Sequence, residues 1–398
     1  MKVKLPYRLS MLCLCAAVAL PALSDSGSSY KKNMFNPVRT SVTSLSIAPD
    51  ARAGAMGDVG AATEADANSQ YWNPAKYPFN IARAGVSVSY TPWLRKLVND
   101  INLANMAGFY RIGDYSAVSA SLRFFSLGGV FLSDMEDMTI NPYEFAVDAG
   151  YSRMLSERFS MAVNMRFIFS DIRYDYTAES KAGKAFAADI ALYRLGYFMM
   201  GNRECSFGWG LNINNIGSKI AYGGDDNAEF IPTNLRLGMN MTVPFNEYNK
   251  FSVAVDANKL LVPTFPKQDT ENGETESDYT DRVQKEYYDV SPIAGIFKSF
   301  HDAPNGFKEE MQEIQWSVGC EYTYNDRFML RGGYHHESAN KGNRKYFTVG
   351  AGFHMSVFTV DAAYVFSTSQ TNPLDQTMRF TLGFDLDGMK DLFGRRRR

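Results

Sequence analysis

The stretch FSMAVNMRFIF, residues 159–169, decides the fold class, because apolar side chains recur in it at every second position. Side chains with that spacing lie on one face of an extended strand, and the residues between them lie on the other face. One face is apolar throughout, while the other carries Ser160, Asn164 and Arg166. The stretch therefore predicts a strand that separates an apolar environment from a polar one.

The same alternation recurs along most of the chain after residue 84. Most of the segments are about nine to thirteen residues long, which is enough for a tilted strand to cross a bilayer and longer than the usual strand of a soluble sheet. The predicted strands cover residues 84–90, 105–112, 116–127, 143–155, 159–176, 185–199, 204–213, 234–244, 249–259, 312–324, 328–337, 345–355, 358–366 and 378–386.

The connections between these strands alternate strictly between short and long. Short periplasmic turns and long surface loops are typical of outer-membrane barrels, whereas a soluble sandwich has no reason to sort its loops in this way. We therefore expect an all-β fold, a transmembrane antiparallel β-barrel of about 14 strands spanning residues 84–386, with its long loops outside the cell. The predicted long connections are 91–104, 128–142, 177–184, 214–233, 260–311, 338–344 and 367–377.

Residues 1–24 have the features of a secretory signal peptide. A basic start is followed by the apolar run 11–23, which is too short to span a bilayer, and a small-residue cleavage site precedes Asp25. Removal of the leader would leave only Cys205 and Cys320, so no disulfide framework is expected.

Residues 25–83 are expected to supply a periplasmic lead-in segment and then an N-terminal plug inside the barrel. The plug candidate is ARAGAMGDVGAATEADANSQYWNPA, residues 51–75, whose glycines allow close backbone approach and whose proline fixes a turn. An ordinary loop rich in glycine and alanine is an equally good interpretation of this stretch alone. The predicted plug motif is Trp72, Asn73, Pro74 and Ala75.

Composition and motifs argue against catalysis. Aromatic residues make up 14% of the chain, which is typical of membrane girdles, and a net charge of −2 gives no electrostatic case for nucleic acid. The sequence contains no hydrolase, phosphate-binding or zinc motif, so we predict no catalytic, cofactor or metal site. His335 and His336 are adjacent and should point to opposite faces. Charged residues expected as ordinary filling of a polar interior are Arg123, Asp148, Arg166, Asp256, Glu321 and Asp361.

Several predicted outer loops carry apolar residues that we expect to be exposed. Such residues either anchor the rim in the membrane interface or form a protein-docking surface, and the sequence does not decide between the two. The residues predicted to bind partners are Trp93, Leu94, Val130, Phe131, Leu132, Leu261 and Val262.

Two further segments are unusual. The first half of the loop 260–311 is acidic and polar, which predicts disorder, while its apolar second half, 293–300, could form a short helix over the barrel mouth. The chain ends in a basic tail, 387–398, expected to lie flexible on the periplasmic side.

The N-terminal residues resemble a known family. The stretches SIAPDARAGAMGDVG (46–60) and YWNPAKYPF (71–79), followed by the barrel pattern, look like the FadL-type outer-membrane transporters, in which an Asn-Pro-Ala segment plugs the barrel. Together with SLGG (126–129), they are still more similar to the PorV-type barrels of the Bacteroidetes type IX secretion system.

This resemblance implies a non-enzymatic outer-membrane protein. PorV-like proteins bind the C-terminal signal domain of exported cargo and collect it at the large translocon channel. They deliver it to an attachment complex with a PorU-type sortase, and the cargo is joined to lipopolysaccharide. The alternatives are a FadL-type transporter of hydrophobic small molecules and a lipopolysaccharide deacylase. The polar inward face favours the first role, and the sequence shows no nucleophile–base pair for the last.

Overall fold

The computed structural model describes residues 35–95, 98, 100–132, 138–172, 181–223, 227–268, 273–355, 357–368 and 374–387. Fourteen antiparallel strands close into a barrel, and two short additional strands pair with each other. The predicted barrel is confirmed, including its strand number. The strands are β1 (Ala84–Pro92), β2 (Asn102–Ile112), β3 (Ser116–Ser126), β4 (Val130–Leu132), β5 (Met138–Ile140), β6 (Tyr143–Ser156), β7 (Phe159–Asp171), β8 (Gly183–Met200), β9 (Arg203–Gly217), β10 (Asn234–Pro244), β11 (Asn249–Leu260), β12 (Gln315–Tyr324), β13 (Phe328–His336), β14 (Lys345–Met355), β15 (Phe358–Ser367) and β16 (Met378–Asp385).

Strand β7 shows why these segments build a barrel. Asn164 and Arg166 on its inward face are buried, whereas Met165 between them is 71% exposed on the outer surface. The same division recurs on other strands, where Ser87 is buried beside the exposed Val88. Because the outward side chains are apolar, this surface suits the hydrocarbon of a membrane better than water.

The barrel strands follow one another in chain order, with the β4–β5 ribbon lying between β3 and β6, and β16 closes the ring by pairing with β1. Connections at one rim, such as 113–115 and 201–202, are short, and those at the other rim are longer. The predicted sorting of loops is therefore confirmed. We call the two ends the short-turn rim and the long-loop rim.

The segment before β1 folds inside the barrel. It contains two short α-helices, α1 (Ala51–Gly54) and α2 (Ser69–Trp72), and two 3-10 helices, Thr43–Ser46 and Pro74–Phe79. Many of its residues are buried, and Ala51, Val59 and Tyr77 are completely inaccessible. The segment forms hydrogen bonds with inward side chains of β7, β11, β14 and β16, so it occupies the barrel interior.

In its described residues, 261–268 and 273–314, the long loop between β11 and β12 is folded, which corrects the expectation of disorder for the acidic residues from 273 onward. It contains α3 (Glu276–Val283), a π-helical turn (Gln284–Tyr288), α4 (Pro292–Lys298) and α5 (Phe307–Gln312). Thr275 caps α3 by accepting a hydrogen bond from the amide of Asp278, a Thr-x-x-Asp capping signal that was present in the acidic run. The expected helix in the apolar half is confirmed as α4. Among the helices described, none is both long enough and apolar enough to cross a bilayer.

Three expectations lie outside the described residues. They are the signal peptide 1–24, the lead-in residues 25–34 and the basic tail from 388 onward. Their assignments stay predictions.

Candidate functional site

The predicted plug motif fastens the inner segment to the barrel wall. The Asn73 side chain donates hydrogen bonds to the carbonyl oxygens of Ala61 (3.0 Å) and of Leu192 in β8 (2.9 Å). Its own oxygen accepts from the amide of Ala75 at 3.1 Å and so caps the 3-10 helix that begins at Pro74. Asn73 therefore joins two parts of the plug to one barrel strand. Its side-chain nitrogen donates hydrogen bonds and its side-chain oxygen accepts one.

Trp72 organises the other half of the motif. Its indole Nε1 donates to Asp50 Oδ1 at 2.6 Å, and Asp50 caps α1 through the amide of Ala53. The indole ring lies against Gly60 so closely that a Cβ at that position would overlap it. Glycine is required at residue 60 because of this approach.

Asp256 on β11, three strands along the wall from β8, also binds the plug. Its Oδ2 accepts hydrogen bonds from the amides of Gly60 (2.8 Å) and Ala61 (2.9 Å). From the sequence alone, this carboxylate is expected as ordinary filling of the interior. The structure shows that it anchors the backbone of the plug, and only its inward position on a strand could have indicated that.

An ion network continues from the plug into the wall. Arg331 donates to Glu321 and to Asp361, each at 2.5 Å, and Glu321 also pairs with Arg52 of α1 at 3.1 Å. Arg331 is almost fully buried, so these contacts replace water around its guanidinium. Breaking such a group by removing one partner leaves an unpaired buried charge, which is strongly destabilising.

Other inward arginines also have carboxylate or carbonyl partners. Arg166 pairs with Asp148 and Asp189, and Arg379 pairs with Asp58 of the plug. The other predicted inward charge, Arg123, donates to the backbone carbonyls of Ser44 and Ile47. All six residues predicted as interior filling are buried: Arg123, Asp148, Arg166, Asp256, Glu321 and Asp361.

The cavities beside Tyr71, between plug and wall, are small, and a third of about 200 Å³ lies nearer the long-loop rim beside Pro37. The cavities on the two sides of Tyr71 have volumes of about 10 Å³ and about 70 Å³. Arg123 lines the smaller one and Arg236 the larger. A transporter of hydrophobic molecules needs an apolar passage for a whole ligand, and pockets for small ligands are usually several hundred Å³. These two cavities therefore do not support the transporter alternative.

The two adjacent histidines point to opposite faces, as expected. His336 stacks on Trp316 at the outer surface, while His335 is buried and its Nδ1 lies 2.9 Å from Ser317 Oγ. This serine–histidine pair was not foreseen. Ser317 is fully buried, and His335 Nε2 has no hydrogen-bond partner among the described residues, so the carboxylate that would orient a catalytic base is missing. Within the described residues, no group of three His, Cys, Asp or Glu side chains is arranged to hold a metal ion.

The expected exposure of Leu261 and Val262 is wrong. They are 2% and 1% exposed, respectively. Val262 packs with Phe230 and Tyr287 in an apolar cluster, and the Leu261 amide bonds back to Thr233. The long loop folds into its own core, and apolar residues at its start fill that core instead of the surface.

The other residues predicted to bind partners either have partly buried side chains or have side chains outside the described part of the structure. Trp93 packs beside the Leu103–Phe125 cluster, and Leu94 packs beside a neighbouring one. Both are half-buried. The side chains of the β4 residues Val130, Phe131 and Leu132 lie outside the described part of the structure.

A different apolar surface is exposed at the long-loop rim. Phe297 on α4 is 68% exposed and Phe307 on α5 is 79% exposed. Pairs spaced by four residues, such as Phe307 and Met311, share one face of a helix. We call the whole set the mouth surface: Ile293, Phe297, Phe300, Phe307 and Met311.

Helix α5 has an inverted polarity. Its glutamates Glu309 and Glu310 are buried, and its Phe and Met are exposed. Lys341, from the next outer loop, donates to Glu309 at 2.6 Å, and Lys259 at the end of β11 donates to Glu310 at 3.0 Å. Glu313, just after the helix, accepts from both lysines. Burial raises the pKa of Glu309, but the Lys341 charge and hydrogen bond outweigh it and hold that pKa below its usual value.

Together, the fold and these contacts define a plugged transmembrane β-barrel with a folded helical mouth. The chain matches the model of the family described as type IX secretion system protein PorV over residues 30–267. The chain belongs to the PorV family of type IX secretion system proteins.

Several solved structures are similar to the chain at low sequence identity. The toluene transporter TodX of Pseudomonas putida is 10% identical, with a TM-score of 0.45, and the alignment covers 88% of this chain and 99% of that one. A FadL homologue of Pseudomonas aeruginosa is also 10% identical, with a TM-score of 0.40 and the same coverage. The toluene transporter TbuX of Ralstonia pickettii is 11% identical, with a TM-score of 0.42 and coverages of 85% and 97%. No curated protein shows significant sequence similarity to the chain.

Proposed function

We propose that this chain is a cargo-docking barrel of the type IX secretion system, located in the outer membrane with its long loops outside. In this role the mouth surface binds the C-terminal signal domain of exported proteins. The barrel then passes them from the translocon channel to an attachment complex with a PorU-type sortase. Family membership supports the secretion system, and the mouth surface supports docking. The role involves binding without a chemical step.

The inverted helix α5 carries the docking proposal. Exposed aromatic side chains are costly in water, and a loop without a binding role would gain by turning Phe307 inward. Buried ion pairs from Lys259 and Lys341 hold the glutamates inward and thereby keep the apolar side chains outward. A rigid, outward apolar face is preorganised for a partner, because little ordering is needed on binding.

The surface beneath α4 makes this presentation rigid. Ser291 caps α4 by accepting a hydrogen bond from the Ala294 amide, and Pro292 stands at its first position. Gly295 lies directly on Phe230 and Pro263, with no room for a larger residue. Because these contacts fix α4 on the loop core, the exposed Phe297 is positioned to act as an anchor residue in a protein interface.

The direct test is the affinity of the purified barrel for an isolated cargo signal domain. We expect the double variant Phe297→Glu/Phe307→Glu to weaken binding at least about thirtyfold, since truncated aromatic anchors commonly lose ~2 kcal/mol or more. In cells, the same variant should leave cargo unattached at the surface. Affinity equal to that of the wild type would remove the mouth surface from the docking role.

The matched control is Lys285→Glu. It adds the same two units of negative charge to the same loop, on an exposed residue that lies outside the mouth surface. We expect binding close to that of the wild type. A loss equal to that of the double variant would mean that charge, not the apolar surface, governs docking.

A further inference from the structure

The short-turn rim contains a cleft on the outer surface of the barrel. It has a volume of about 690 Å³ and is lined by Ser156, Glu157, Arg158, Phe159, Arg194 and Trp209. The cleft exists because β8 continues to Met200, although its last residue paired with β7 is Arg194, opposite Phe159. A corner is left between the β6–β7 turn and the overhanging part of β8.

The cleft lies on the lipid-facing side of the barrel. In the strand register, Arg194 of β8 lies opposite Phe159 of β7 on one side and opposite Trp209 of β9 on the other. The centroids of the Phe159 and Trp209 rings are 6.1 Å apart. Val163 of β7 and Ile190 of β8 lie on the same outward face, farther from the short-turn rim, and both are apolar and exposed. The cleft thus places charged side chains on an otherwise apolar outer face, close to the short-turn rim.

The arginines of the cleft differ from those of the lumen. Within the described residues, the side chains of Arg158 and Arg194 make no ion pair or hydrogen bond. The inward Arg331, by contrast, meets two carboxylates. The described lining of the cleft contains these two unpaired cations and only one carboxylate, Glu157. Because the lining has a net positive charge, the cleft favours an anionic ligand.

The strand beyond the cleft points to lipid as the source of that anion. Tyr197, Phe198, Met199 and Met200 follow one another at the tip of β8, and all are between 40% and 63% exposed. Successive side chains on a strand point to opposite faces, so both faces of this tip are apolar. Such a tip is stable among lipid chains and headgroups, whereas in water it would expose a large apolar surface.

We propose that this cleft binds the headgroup phosphate of an anionic phospholipid in the leaflet at the short-turn rim. Arg158 and Arg194 hold the phosphate, the acyl chains run along Phe159 and Trp209, and the β8 tip rests in the same leaflet. The site is separate from the mouth surface and does not depend on cargo docking.

The test uses the full-length barrel in nanodiscs made from equal amounts of phosphatidylglycerol and phosphatidylcholine with identical acyl chains. Native mass spectrometry counts the lipids that stay bound. We expect the wild type to retain phosphatidylglycerol preferentially. The variant Arg158→Gln/Arg194→Gln should lose roughly tenfold or more of that preference, given the attraction of each arginine for an anionic leaflet.

The control Lys250→Gln/Arg327→Gln removes two cations from another part of the short-turn rim and should keep the preference. Glycerol phosphate, which has no acyl chains, should not displace the lipid at equal concentration. Three results overturn the proposal: no preference in the wild type, an equal loss in the control, or displacement by glycerol phosphate. The first of these would leave the cleft to a protein partner.

A second readout locates the lipid. Phosphatidylglycerol with brominated chains should quench the fluorescence of Trp209 more than brominated phosphatidylcholine does. The difference should vanish both in Trp209→Phe and in the double arginine variant. If the extra quenching by phosphatidylglycerol over phosphatidylcholine persists in Trp209→Phe, it comes from another outward tryptophan such as Trp316, and the assignment is overturned.

Discussion

The lumen and the mouth of this barrel both bury charged side chains, yet they present opposite surfaces. In the lumen, Arg331 and its carboxylates join plug to wall, and the outcome is a filled interior. At the mouth, Lys341 and Glu309 also form a buried pair, but the helix they fix turns Phe307 toward solvent. The same kind of interaction therefore serves closure in one region and display in the other.

If the lumen charges serve closure, removing one should produce the largest loss of stability. Arg331→Met leaves Glu321 and Asp361 buried with one partner fewer, and we expect a loss of about 3–5 kcal/mol in the free energy of unfolding. Guanidinium unfolding in detergent, followed by tryptophan fluorescence, measures this. The control Arg327→Met, on an exposed turn four residues earlier, should cost less than about 0.5 kcal/mol. Similar stability for both variants would show that the ion network is not what holds the plug.

A smaller effect is expected from two neighbouring glycines of β13. A Cβ at Gly333 would overlap the plug backbone at Met56 and Gly57, whereas a Cβ at Gly332 would meet no atom nearer than 3.8 Å. Gly333→Val should therefore displace the plug, cost about 1–3 kcal/mol as overpacking does, and raise ion conductance in planar bilayers.

Gly332→Val is the matched control, since it adds the same side chain one residue away and on the outward face. It should conduct like the wild type. High conductance already in the wild type would contradict a closed lumen and would revive transport of small molecules as a role.

The barrel was predictable from the sequence because its strands obey one simple constraint. Each strand separates lipid from a polar interior, so alternation such as that around Met165 shows directly in the sequence. The plug contacts were not predictable, since the bond between Asp256 and Gly60 joins residues far apart in the chain. No periodicity records such a pairing.

The mouth was misread for a different reason. Leu261 was expected at the surface because it follows a strand, but a long loop with its own core can bury such residues. The exposed Phe307 was missed because the charged residues that follow it, Lys308, Glu309 and Glu310, suggest an ordinary solvated helix. Only the partners of Glu309 and Glu310, which come from distant strands and loops, show which side of α5 faces water.

The smallest expected effect tests the display function at the mouth. The folded-state pKa of Glu309 lies below its usual value of about 4.5, so its contribution to helix docking is complete above that pH. The contribution is lost as the pH falls through the depressed folded value. A spin label at Phe307→Cys should therefore become more mobile as the pH falls below about 4.5.

The variant Glu309→Gln should show raised mobility of the same label already at neutral pH, and a flatter dependence of mobility on pH. Glu286→Gln, an exposed glutamate of the same loop, should reproduce the profile of the parent protein. A flat profile in the parent would mean that the apolar contacts alone fix α5, and the comparison of buried charge in lumen and mouth would then apply to the lumen only.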